Sequence, residues 1–110
     1  MINYCGVEPK FFDEICDGTQ KFEERERRRP DKRLESVVVG EQIYIYEKRG
    51  KRAVLVKINA IQHIKEMTKS GISYYYVFYF SILKQITHNP YKHYQGWMRF
   101  PSIKSVMKEA

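Results

Sequence analysis

Ile72-Ser73-Tyr74-Tyr75-Tyr76-Val77-Phe78-Tyr79-Phe80-Ser81-Ile82-Leu83 is the most apolar run of the chain. Its rings and branched side chains favour a strand over a helix, because such groups pack well on a pleated, half-buried surface. Alternation puts Tyr74, Tyr76, Phe78 and Phe80 on one face and Tyr75, Val77 and Tyr79 on the other. Both faces are apolar, so the run predicts a central strand.

Upstream, Ser36 to Ile64 also reads as β. Val37, Val38 and Val39 lead to Gly40, and Ile43 to Tyr46 is a strand of β-branched and aromatic residues. Glu47 to Arg52, with Gly50, reads as a hairpin connection, and Ala53 to Ile61 as the returning strand, with Val54, Val56 and Ile58 sharing one face. Gln62 to Gly71 reads as a charged connection with a helical turn. Nearer the start, Ile2 to Val7 predicts a first strand. A helix follows from Pro9, with Phe11, Phe12, Ile15 and Cys16 on its apolar face and Gly18 as its left-handed stop. Lys21 to Arg27 predicts a polar strand, and Arg28 to Glu35, with Pro30, an exposed loop. Past the aromatic run, Pro90 and Gly96 bracket an irregular stretch. Trp97 to Phe100 predicts a last short strand, and Pro101 opens a C-terminal helix over Ile103, Val106 and Met107. Short strands in close succession with one early and one late helix predict an α+β, mainly β fold: a small mixed barrel or curled sheet.

The chain has 110 residues, the size of one domain, so residues 1–110 are read as a single unit. No run approaches the roughly 18 apolar residues that span a bilayer, and no signal pattern opens the chain, so a cytoplasmic protein without membrane contact is expected. Two cysteines, Cys5 and Cys16, exclude a disulfide scaffold and a four-cysteine zinc site. The net charge is +7, an excess that attracts polyanions. It is concentrated: Lys21 to Arg33 holds seven basic and four acidic residues, and Glu47 to Lys57 five basic and one acidic.

Val7-Glu8-Pro9-Lys10-Phe11-Phe12-Asp13-Glu14-Ile15, closed by Gly18 and followed by Lys21-Phe22-Glu23-Glu24-Arg25, resembles the opening of ASCH-family domains of the PUA-like superfamily. Val39-Gly40-Glu41-Gln42-Ile43-Tyr44-Ile45-Tyr46-Glu47 is similar to that family's glycine-led strand. Asn89-Pro90 with Tyr94-Gln95-Gly96-Trp97-Met98 is similar to its closing segment. The resemblance covers nearly the whole chain in order. It implies a PUA-like β-barrel of five to six strands, a helix near the N-terminus beside the barrel mouth, a cleft there for RNA or a nucleobase, and a short C-terminal helix. Some bacterial members hydrolyse N4-acylated cytidine with a lysine two residues after the glycine, a threonine three further on and a distant glutamate. In this chain the first two positions hold Gln20 and Glu23, and Lys21 stands one residue late, on the opposite strand face.

Lys21, Glu23 and Arg25 share a strand face, so a carboxylate between two cations can orient an arginine against a phosphate or base edge. A surface ion-pair ladder of little consequence is the competing description. Arg25, Arg27, Arg28 and Arg29, with Lys48, Arg49, Lys51 and Arg52, would track phosphates if the two segments meet in space. Solvated loops are the alternative. Among the aromatics, Tyr94 and Trp97 are the candidates for stacking on a base, beside Arg99 in a glycine-containing stretch, whereas most of the others belong to core or sheet. His63, His88 and His93 have no ligand spacing, and no nucleotide-cofactor motif is present, so no metal or cofactor is expected.

The expected function is a non-enzymatic RNA- or nucleic-acid-binding module with basic loops for phosphates and a mouth cleft for a base. A second reading is an amidohydrolase on an acylated cytidine-type nucleoside, with Lys21 activating the acyl group and Glu23 accepting the proton. A third follows from similarity to small, basic, tyrosine-rich proteins of phage or mobile elements: docking on a host protein and blocking it, with Tyr and Arg as anchors.

Overall fold

A computed structural model of the chain describes residues 2–87 and 97–100. Strand β1 (Ile2–Val7) leads into helix α1 (Pro9–Cys16), followed by β2 (Phe22–Arg27), the single-turn helix α2 (Lys32–Glu35), β3 (Gln42–Glu47), β4 (Arg52–Thr68), β5 (Gly71–Thr87) and β6 (Trp97–Phe100). All six strands form one sheet in the order β2-β5-β4-β3-β1-β6. Only the β1/β3 pair is parallel, as expected for strands separated by helical crossovers. The domain is mainly β. No helix among the described residues is long and apolar enough to cross a membrane.

The aromatic run forms β5, where Tyr76, Phe78 and Phe80 turn into the core and Tyr79 lies exposed on the other face. Burying a ring such as Phe78 contributes about 1.5–3 kcal/mol. Ile43 and Ile45 of β3 and Val54, Val56 and Ile58 of β4 complete that layer, and Phe12 and Ile15 of α1, Leu34 and Val37 cover it. Tyr44 and Tyr46 fill the opposite face of β3 and are also buried, so this strand has no solvent side. In β1, Gly6 sits beside Tyr46, and a Cβ there would lie 2.5 Å from the ring. The glycine is what lets the ring approach the neighbouring strand so closely. Asn3 of β1, fully buried, donates from Nδ2 to Glu41 Oε2 at 2.6 Å and ties the parallel pair to the opening of β3.

Several expected boundaries differ. Residues 62–68 are not a helical connection: β4 continues through them to Thr68 and turns at Lys69-Ser70 into β5. Two 17-residue strands result. Within 28–35, expected as loop, the α2 turn forms because Asp31 caps it, accepting from Arg33 N at 2.9 Å. Val37 to Val39 form no strand, and only Val37 is buried. On α1 the buried face is Phe12 and Ile15, while Phe11 turns outward. Gly18 does end the helix, at φ +83°. The C-terminal helix expected from Pro101 lies outside the described residues.

Candidate functional site

The sheet curls so that its edge strand β2 approaches β1. Arg25 of β2 bridges that seam, donating from Nη2 to the main-chain oxygen of Gly6 in β1 at 3.0 Å. Side chains at 23, 25 and 27 face inward because the strand alternates, which is why the most polar strand of the sheet still carries a buried carboxylate. Glu23 is buried and pairs with Arg25 (Oε1 to Nε, 3.1 Å). Burial pushes the Glu23 carboxyl above its ordinary value, opposed in part by the Arg25 charge. Beneath them, Cys5 lies within hydrogen-bond reach of Arg25, and burial pushes its thiol up to about 12.

Above this pair is an open cavity of about 430 Å³ between the end of β1, the start of α1 and β2. Glu23 and Arg25 line it, with Gln20, Glu24, Lys48, Phe11 and Phe22, and the Phe22 ring also packs against Tyr79 with centroids 5.9 Å apart. Both phenylalanines are substantially exposed, 46% for Phe11 and 39% for Phe22. Gln20 is fixed through its amide nitrogen on Phe22 O at 2.9 Å. The cavity therefore combines acceptors, donors and ring faces within the volume range of small-molecule sites.

At the end of the same strand lies a second concavity, of about 470 Å³, built wholly from Arg27 to Arg33. Asp31 is its hub: it holds Arg27 Nε at 3.1 Å and Arg33 Nη2 at 3.5 Å. Partial burial raises the Asp31 carboxyl, but hydrogen bonds from Arg27 and Arg33 outweigh this and hold it below the usual carboxylate range. The main chain is fixed as well, with Asp31 N donating to the Tyr76 hydroxyl at 2.9 Å. Arg28 reaches Ser70 and Ser73 near the β4–β5 turn. Arg29 and Lys32 are exposed and form no ion pair among the described residues.

The structure thus brings Glu23, Arg25 and Lys48 into one cavity and groups Arg27, Arg28 and Arg29 in the next. Lys21 is apart: exposed, it lines a separate recess with Ile15, Gly18, Phe80 and Ile82. Arg49 is paired with Glu8 at 3.0 Å, and Arg52 with Asp13 and Glu47 while lying 5.0 Å from the centre of the Phe12 ring. Lys51 is exposed. The backbones of Trp97 and Arg99 belong to β6, paired with Cys5 and Asn3, and their side chains lie outside the described set, as does Tyr94. Phe11, Phe22 and Gln20 were not foreseen as site residues. The signal for Phe11 was present: on an eight-residue helix only a narrow stripe reaches the core, and Phe12 with Ile15 fills it.

No family model, curated protein or solved structure matches this chain. Its function is accordingly argued from the two concavities themselves.

Proposed function

We propose that this domain binds single-stranded RNA, or another single-stranded nucleic acid, placing one base in the Glu23–Arg25 cavity and the adjoining backbone over the Arg27–Arg33 concavity. The observation that carries this reading is the buried carboxylate–guanidinium pair lining an open cavity that Phe11 and Phe22 also line. A nucleobase presents flat faces to such rings, and its edge offers donors to Glu23 and acceptors to Arg25. From the end of the same strand through α2, five cations around one carboxylate suit a phosphate backbone. Approach of β2 to β1 beside α1 supports a small barrel of the PUA-like type, with the base site at its mouth. Lys21 lines the other recess, so an amine-assisted hydrolysis has its lysine and its carboxylate in different hollows. Binding without chemistry is the reading we adopt.

Fluorescence anisotropy with labelled RNA octamers tests it. Phe22→Ala and Phe11→Ala each remove a stacking face worth about 1–3 kcal/mol, a loss of roughly 5- to 150-fold in affinity. Unchanged affinity in both variants places the base elsewhere and ends the proposal.

A further inference from the structure

The outer half of β4 is an unusual edge. β3 accompanies β4 only as far as Lys57, and Gly40 and Glu41 continue the contact to Ile58, Gly40 donating to its carbonyl and Glu41 accepting from its N–H. Beyond that point, among the described residues, no strand pairs with β4 on this side. Phe80 N donates to Lys21 O, so even-numbered residues of β5 here point toward β2 and odd-numbered ones toward β4. The register Thr68↔Gly71, Glu66↔Ser73, Ile64↔Tyr75 and Gln62↔Val77 then leaves the N–H and C=O groups of Ile61, His63, Lys65 and Met67 directed outward. His63, Lys65 and Met67 are exposed residues, Ile61 is partly buried against the core, and Ile64 is 38% and Met67 76% exposed. No proline stands in residues 61–67 and, among the described residues, no helix covers them, so Lys65, Glu66 and the bulge between Ile58 and Ala60 are the edge's protection.

We propose that two copies of this chain join along this edge, antiparallel about a two-fold axis at Ile64, to form one continuous sheet. The register is decided by elimination. A two-fold axis at His63 would set Thr68 of one copy opposite Ile58 of the other, a place already held by Gly40 and Glu41. An axis at Lys65 would oppose two lysines directly, which is repulsive. At Ile64 the pairing is self-complementary: isoleucine meets isoleucine, Ile61 meets Met67, and Gln62 meets Glu66, an amide donor against a carboxylate. The outward groups then exchange about eight main-chain hydrogen bonds across the axis. The contact is small beside stable dimer interfaces, so the dimer forms in a concentration-dependent way. The Glu23–Arg25 cavity is lined by β2, which β5 separates from this edge of β4, so the pairing does not use its lining residues.

Sedimentation velocity of the 110-residue chain over a concentration series is expected to show mass rising from one chain toward two. Ile64→Cys sits opposite itself at a Cα separation of about 4.5 Å, within the range of a disulfide, and should cross-link under mild oxidation. Ile61→Cys, about six residues from its own copy across the axis, should not. His63→Pro removes an outward donor that the single chain does not use and should abolish the rise in mass. Ile64→Lys should do the same, and unchanged circular dichroism shows that the variant chains fold. A wild-type chain that keeps the mass of one copy at every concentration overturns the proposal. So does a dimer that survives Ile64→Lys, or equal cross-linking by the two cysteine variants.

Discussion

Replacing Arg25 with methionine, which keeps the length of the side chain, leaves Glu23 buried without its countercharge. Removing one partner of a buried pair costs about 3–5 kcal/mol, and because the cavity admits water on one side we expect the lower figure, about 3 kcal/mol near pH 7. With a urea m-value of about 2 kcal/mol/M, the unfolding midpoint should fall by roughly 1.5 M. The pH dependence is the sharper part. Burial already raises the Glu23 carboxyl, and loss of Arg25 raises it further, so folding favours the protonated form. Stability from such a group is fully present below the carboxyl's ordinary value and is lost as pH rises through the raised one. The deficit of Arg25→Met should therefore shrink between about pH 7 and pH 5. In the double variant Glu23→Gln/Arg25→Met the buried carboxyl is gone, and that pH dependence should vanish. Urea titrations followed by circular dichroism measure all three. A deficit below about 1 kcal/mol, or one that does not change with pH, would refute the view of this pair as buried and coupled.

Gly6→Ala forces a methyl group against the buried Tyr46 ring, where its Cβ would lie 2.5 Å away, and should cost about 1–3 kcal/mol in the same assay. Phe78→Ala, at a fully buried position in the centre of β5, should cost about 3–5 kcal/mol, and a loss under 1 would mean the inner face of that strand is not packed. At about pH 8 a thiol reagent should modify Cys16, which is partly exposed, while Cys5, buried with its thiol raised to about 12, reacts only as fast as the chain unfolds. Equal native rates for the two would contradict the placement of Cys5 under Arg25.

The inner part of the fold was legible because its strands carry a two-residue period that burial enforces: Val54, Val56 and Ile58, or Tyr76, Phe78 and Phe80, leave little choice of face. Outer β4 was not. His63, Lys65 and Glu66 look like a charged connection because a strand held from one side only, by β5, has no core to fill and needs no apolar alternation. The α2 turn had a readable signal in Asp31 after Pro30, masked by the density of charge around it. At the site, alternation correctly set Glu23 and Arg25 together. The spatial partners of Arg25, Gly6 and Cys5, are 19 and 20 positions away in the chain and follow only from the curl of the sheet. Phe11 reads as core because it stands four residues before Ile15, but so short a helix buries only Phe12 and Ile15.

The measurement closest to the central claim is the salt dependence of single-stranded RNA affinity, for the wild type and for the triple variant Arg27→Ala/Arg28→Ala/Arg29→Ala. If four phosphates are neutralised, log K should fall with log salt at a slope of about −2.8, or about 50-fold weaker binding between 50 and 200 mM. Losing three of those contacts should flatten the slope to about −0.7 and weaken binding to every sequence alike. An RNA affinity that ignores salt, a slope the triple variant leaves intact, or no binding at all would contradict the account.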